Sequence, residues 1–243
     1  MRTTMHHPGT PLHLLHLDSS ARPGRGGIEP HGSWSRRLSH AFASRWRAAR
    51  PHDRYTYRDL ALQPPQPMPG NWVQAAFTPP AQRSVQLQAA LTESDQLVAE
   101  LRAADVLVVG LPMYNYGMPA ALKAWADLVV RIGETFAITR TDGVTSYQPL
   151  LSDRPRRALL VTSRGAMGFG AGGDYAALNH ADTALRAVLE FIGFTDIETV
   201  AAEGEETGGA VFEAAVAKAL EQVERLAVRW SGAEQPAIAM HAA

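Results

Sequence analysis

The 243-residue chain contains no cysteine. That absence excludes disulfides, iron–sulfur clusters, thiolate zinc sites and cysteine nucleophiles together. Nor does either sign of charge dominate: 23 Lys+Arg against 24 Asp+Glu leave a formal charge of -1, so no global field favours nucleic acid or an anionic membrane. The longest strongly apolar run, residues 106–113, is already interrupted by a glycine and a proline, far short of the roughly 20 residues that span a bilayer. Residues 1–11 lack the apolar segment of a secretory signal. A soluble, cytoplasmic protein is expected. Also missing are G-x-G-x-x-G after the first strand, a Walker P-loop, H-E-x-x-H and G-x-S-x-G. Serines at a strand-to-helix turn, with His180 and Asp182 as conceivable partners, therefore give only weak grounds for a hydrolase. His6 and His7 are terminal, and His13 and His16 stand three apart on a strand and so face opposite ways; no metal is expected. Arg36-Arg37 and Arg156-Arg157 read as solvated ends of elements.

What is present is a 46% hydrophobic chain in which short apolar runs alternate with helical patterns, the signature of βαβ units and a parallel sheet. Strands are expected at 12–17, 55–58, 105–111, 157–163 and 197–201. The unbroken Val/Leu character of 105–111 makes it central, with both faces covered. Helices are expected at 35–49, with Leu38, Phe42 and Trp46 on one face, and at 82–102, broken near 92–95 where Ser94 caps a second segment. Further helices are expected after Pro119, at 177–192 ended by Gly193, and at 209–230. The Pro-rich stretch 63–80 reads as a surface loop carrying Trp72 and Phe77. Without repeats or a linker, residues 1–243 form one doubly wound α/β domain, ordered over about 12–230 with flexible tails.

Such a sheet binds its ligand beyond the carboxyl ends of the strands, at the topological switch point. Three loops meet there. The first, 18–34, places Ser20, Ser33 and Ser35 before a helix, where free N–H groups and the positive dipole end suit a phosphate; taken alone, Ser33 or Ser35 is simply an N-cap. The second, 112–118, holds Met113, Tyr114, Asn115 and Tyr116 and offers backbone edges and side-chain faces to a flat ring. The third, 164–173, follows Ser163 and is glycine-rich, so that its backbone approaches a ligand closely. Together they describe a mononucleotide site, and FMN fits better than a dinucleotide.

The segments PMYNYGMPAALKAWADLVVRIGETF (112–136), VTSRG (161–165) and EFIGFTDIETVAAEG (190–204), with Ser-x-Ser at Ser33 and Ser35, resemble the FMN-dependent NADH:azoreductase and NAD(P)H:quinone reductase family, over residues 12–227. The resemblance implies a flavodoxin-like fold with a five-stranded sheet and helices on both faces. It puts Ser20, Ser33, Trp34 and Ser35 on the FMN phosphate and ribityl chain, and Met113, Tyr114, Asn115, Tyr116, Ser163, Arg164, Gly165 and Ala166 along the isoalloxazine. It implies a ping-pong reaction in which NADH or NADPH reduces the flavin and a quinone or azo compound reoxidises it, in a homodimer. The flavin carries the redox chemistry, and no side chain is assigned as catalyst. Trp72, Phe77 and Phe136 are candidate pocket walls or core residues. Three departures from the family pattern stand out: the extra residues 21–32, where Arg22 or Arg25 is placed to join the phosphate; Ala166 in place of a second glycine; and no histidine at 167–169. A flavodoxin-type electron carrier shares the fold and cofactor, but its docking needs an acidic surface that this nearly neutral chain lacks.

Overall fold

The computed structural model describes residues 10–232. The His6–His7 pair and the tail beyond residue 232, expected to be flexible, lie outside the described residues. Among the described residues seven strands occur in chain order: β1 (His13–Asp18), β2 (Arg54–Asp59), β3 (Val106–Pro112), β4 (Phe136–Thr141), β5 (Val144–Pro149), β6 (Arg157–Arg164) and β7 (Asp196–Glu203). The helices are α1 (Trp34–Ala49), α2 (Trp72–Phe77), α3 (Val85–Ala103), α4 (Ala120–Val129), α5 (Asp182–Ile192) and α6 (Gly209–Ser231).

Five strands form one parallel sheet in the order β2-β1-β3-β6-β7. β3 is central, as its continuous apolar character requires, and every residue in it is buried. Alternation along the strands sorts side chains into two layers. Leu15, Leu17, Leu107, Val109 and Leu160 join a core with α3, α4 and α5. Leu14, Val106, Val108, Leu159 and Val161 join a second core with α1 and α6. Each fully buried Leu or Val in these layers contributes roughly 1.5–3 kcal/mol of transfer free energy. β2 is the half-exposed edge, polar in sequence, which discourages further strand pairing.

Four expectations are corrected. α3 runs unbroken through 92–95: Ser94 is buried and donates to the Leu128 carbonyl at 2.7 Å, tying α3 to α4 rather than capping a new segment. The Pro-rich stretch contains the short α2, and Trp72 is buried in the core beneath it. The single helix expected at 177–192 is a turn of 3-10 helix at Ala176–Leu178 followed by α5. Between them the Asn179 amide donates to Phe169 O at 3.3 Å, and its Oδ1 accepts from Ala181 N. The α5 end itself is as expected, with Gly193 at φ 120° capping it, a conformation that favours glycine. Finally, β4 and β5 form an antiparallel hairpin absent from the sequence reading. Its Asp142-Gly143 turn has positive φ at both residues (52° and 78°), the geometry of a two-residue hairpin.

Candidate active site

The strand order reverses between β1 and β3, which run parallel, so their carboxyl ends and that of β6 present three loops at one edge of the sheet. In the first, Ser19 is fixed by its N–H and hydroxyl, both donating to Gly110 O (3.0 and 2.9 Å). Ser20 Oγ accepts from Arg22 N and shares a 3.1 Å hydrogen bond with the Tyr114 hydroxyl, which also accepts from Ala21 N. Ser33 caps α1, accepting from Arg36 N at 3.4 Å, and shares a 3.0 Å hydrogen bond with the Ser35 hydroxyl. The cap reading of Ser33 is therefore true, and it coexists with a concentration of hydroxyls and N–H groups at the helix start.

Beneath this loop lies Arg36, only 5% exposed. Its guanidinium grips Asp59 with two bonds of 2.6 and 2.8 Å and donates to the carbonyls of Ser20 (2.8 Å) and Arg22 (3.0 Å). Burial alone would raise the Asp59 pKa, but Arg36 and the N–H groups of Leu62 and Ala61 outweigh it and lower the net value. The expectation of a solvated Arg36 is thus wrong: a buried fork fixes the loop's backbone from within. Arg156 is likewise buried, donating to the carbonyls of Leu151 and Arg102.

The extra residues 21–32 form a compact lobe closed by Gly26 N to Ser33 O (2.9 Å) and Ser33 N to Gly24 O (3.1 Å). Gly26 and Gly27 lie so close to the Trp34 indole that a Cβ at either would stand 2.5–2.7 Å from side-chain atoms there. Trp34 packs edge-on to Phe212 and under the Arg37 guanidinium. Its side chain thus anchors the lobe, leaving its backbone to face the helix start. Neither arginine of the lobe is free for a phosphate: Arg22 pairs with Glu205 at 2.7 Å, and Arg25 with Glu29 at 3.0 Å.

The second loop turns tightly, with reciprocal 3.0 Å bonds between Tyr114 and Gly117 and with Asn115 and Tyr116 at positive φ (48° and 66°). Met113 N donates to Ser163 O, and His180 N to Tyr116 O, so the second and third loops are stitched together. Just before the third loop, at the end of β6, Thr162 and Ser163 carry buried hydroxyls with no hydrogen-bond partner among the described residues. A Cβ on Gly165 would collide with the Glu206 carboxylate at 2.4 Å; Ala166 follows, half-buried.

The Arg164 side chain does not reach out to a ligand. It is 2% exposed and pairs with Asp182 at 2.7 Å and with Glu203. Glu203 in turn accepts from Gly168 N (2.9 Å) and Phe169 N (3.2 Å). This carboxylate, part of the 190–204 segment but given no role in the sequence analysis, moors the glycine-rich loop. Pairing of Asp182 with Arg164 also withdraws the acid that a Ser-His-Asp hydrolase would need. Of the wall candidates, Trp72 is core, Phe77 is exposed on α2, and Phe136 clusters with Tyr147 and Phe191 beside the hairpin. A groove of about 930 Å³ on β7 and α6 has no lining residue in the three loops.

This strand order, with hydroxyls at the first helix start and backbone-rich loops after β3 and β6, defines a flavodoxin-like mononucleotide-binding protein. A profile of the Flavodoxin-like fold family matches residues 13–227. The chain is 50% identical over 182 residues to FMN-dependent NAD(P)H:quinone oxidoreductase 1 of Pseudomonas aeruginosa, covering 74% of this chain and 85% of that one. It is 45% identical over 196 residues to FMN-dependent NADH:quinone oxidoreductase 1 of Pseudomonas fluorescens (80% and 92% covered). Among solved structures, an azoreductase from Bacillus anthracis str. Sterne superposes with a TM-score of 0.76 at 23% identity, covering 90% of this chain and 99% of that one, which speaks for the fold. The chain belongs to the family of FMN-dependent NAD(P)H:quinone oxidoreductases.

Proposed function

We propose that this chain binds FMN in the three loops and uses NADH or NADPH to reduce quinones, and azo compounds at the same site. The observation that carries the reading is the Ser163 hydroxyl at the carboxyl end of β6, buried and without a hydrogen-bond partner among the described residues. A buried hydroxyl without a partner calls for one, and at the carboxyl end of a central strand a bound ligand supplies it. The residues fit a flavin mononucleotide. Ser20, Ser33 and Ser35, with the N-terminal amides of α1, hold the phosphate; Met113 to Tyr116 and Ser163 to Ala166 line the ring.

When bound, FMN supplies the hydride-accepting and hydride-donating chemistry. The protein supplies position. Arg36 keeps the phosphate loop in one conformation through the Ser20 and Arg22 carbonyls, and Glu203 does the same for the loop at 168–169. Other backbone N–H groups of these fixed loops would stabilise negative charge on the ring edge without reorganising. Tyr116 and Met167, each about half exposed, offer apolar surface beside the site, and a pocket shared by both substrates would need no separate nicotinamide fingerprint.

The functional unit is a homodimer. Val144 and Tyr147 on the hairpin and Phe77 on α2 are each more than half exposed, an amount of apolar surface suited to a partner subunit. Analytical ultracentrifugation with and without residues 140–147 replaced by a Gly-Ser turn tests this point. Activity is tested by reconstituting the protein with FMN and following NADH-driven reduction of a quinone and of an azo dye; a colourless protein that takes up no FMN would overturn the reading.

A further inference from the structure

Beside the phosphate loop, on the face of the sheet covered by α1, lies a polar cluster that the flavin reading does not use. β1 places His16 and Asp18 two residues apart, hence on one face. From α1, Arg36, Ser39 and His40 reach the same place. Asp18 Oδ2 is the hub: His40 Nε2 lies 3.2 Å away and His16 Nε2 3.5 Å away, and the three atoms all fall within 4.8 Å of one another. His16 and Asp18 are fully buried. The His16 Nδ1 shares a 3.0 Å hydrogen bond with the Tyr55 hydroxyl, while its Nε2, aimed into the cluster, has no hydrogen-bond partner.

We propose that His16, Asp18 and His40 bind one divalent first-row transition metal ion, of the Zn²⁺ class. Nitrogen and oxygen ligands at about 2.0–2.1 Å in a tetrahedron stand about 3.3 Å apart; the two imidazole nitrogens lie 3.2 and 3.5 Å from Asp18 Oδ2, and because the donor atoms span up to 4.8 Å, the partly exposed His40 ring must swing inward to close on one ion. Two imidazoles and one carboxylate, without thiolate, select zinc, cobalt, nickel or copper over magnesium or calcium. The outer contacts a metal site needs are in place. Tyr55 orients His16, Ser39 donates to Asp18 Oδ1 at 2.7 Å, and Tyr57 donates to Oδ2 at 3.1 Å. His40, with one third of its side chain exposed, opens the cluster to solvent.

Charge favours occupancy. Arg36 Nη1 approaches Asp18 Oδ2 only to 3.7 Å, because its fork is held by Asp59. Two carboxylates thus face one guanidinium, leaving a net negative charge for the cation. The site stands one residue before Ser19 and Ser20, so an ion there pins the base of the phosphate loop without taking part in redox chemistry.

The test is titration of Co²⁺ into the untagged, FMN-saturated full chain, reading the cobalt d–d bands, which lie apart from the main flavin absorption. The expected result is a one-equivalent signal that Zn²⁺ displaces. His40→Ala and His40→Gln should weaken binding by more than the roughly 10- to 100-fold that loss of an outer partner causes, while His180→Ala leaves it unchanged. Absence of a one-equivalent signal in the wild type, or a signal that survives both His40 variants, overturns the proposal.

Discussion

Glu203→Ala separates the mooring of the glycine-rich loop from general stability. The substitution removes two hydrogen bonds, to Gly168 N and Phe169 N, and one of the two carboxylates paired with buried Arg164. Each amide bond contributes about 1 kcal/mol net. Glu203 is one-fifth exposed and Asp182 continues to pair with Arg164, so the ion-pair part is discounted to about 1 kcal/mol. The sum, about 3 kcal/mol, lowers the melting temperature of a chain this size by about 6–12 °C. If the loop lines the flavin, FMN binding also weakens, by about tenfold for each 1.4 kcal/mol of lost loop order. The comparison is Asp182→Asn, which weakens the same arginine pair without touching the loop amides. Thermal melts of the FMN-free proteins and fluorescence titration with FMN read both effects. An FMN Kd unchanged in Glu203→Ala, or raised equally in Asp182→Asn, would refute the assignment of Glu203 as a loop anchor.

Ser163→Ala removes a buried hydroxyl that has no partner in the protein, so the FMN-free protein should melt at the same temperature or slightly higher while the FMN Kd rises about tenfold, one lost hydrogen bond; a lower melting point with unchanged Kd would contradict the site. Ser33→Ala removes the α1 cap and should destabilise the FMN-free protein by about 1 kcal/mol, with a further loss of FMN affinity. Asp59 has its pKa lowered in the folded state, so its contribution is present above the unfolded value of about 3.9 and is lost as pH falls through the folded one. Asp59→Asn should therefore be less stable than wild type at pH 7, and denaturant titrations should show the gap closing below about pH 4.

The strands of the sheet and its central member were legible because short Val/Leu runs dominate them: Val106–Val109 in β3, Leu159–Val161 in β6, and Leu14, Leu15 and Leu17 in β1. The helices with strong apolar stripes were equally plain. The hairpin β4–β5 escaped because its residues are mostly exposed and polar; its one local signal was Asp142-Gly143. α3 was misread as broken since Thr92 to Asp95 looks like a cap, whereas tertiary contact with Leu128 and Arg131 absorbs Ser94. Arg36, on α1, was read as solvated because its partner, Asp59, is 23 positions away at the end of β2. Comparing His13 with His16 found opposite faces, but comparison of His16 with Asp18 would have found a shared one, and only the packing of α1 brings His40 to them. The serines and the aromatic loop were legible as candidates; Glu203 stood within the 190–204 segment but was not singled out, since a carboxylate at a strand end carries no chemical signature until Arg164 and the loop amides pack on it.

The central claim is that the three loops hold a flavin that cycles between a nicotinamide and a quinone. Anaerobic addition of NADH to the FMN-reconstituted protein, followed by a quinone, tests it most directly. The account predicts loss of the visible flavin band on NADH addition and its full return with quinone, over many turnovers. A bound flavin that NADH leaves oxidised, or one that is reduced but not reoxidised by quinone, would contradict it.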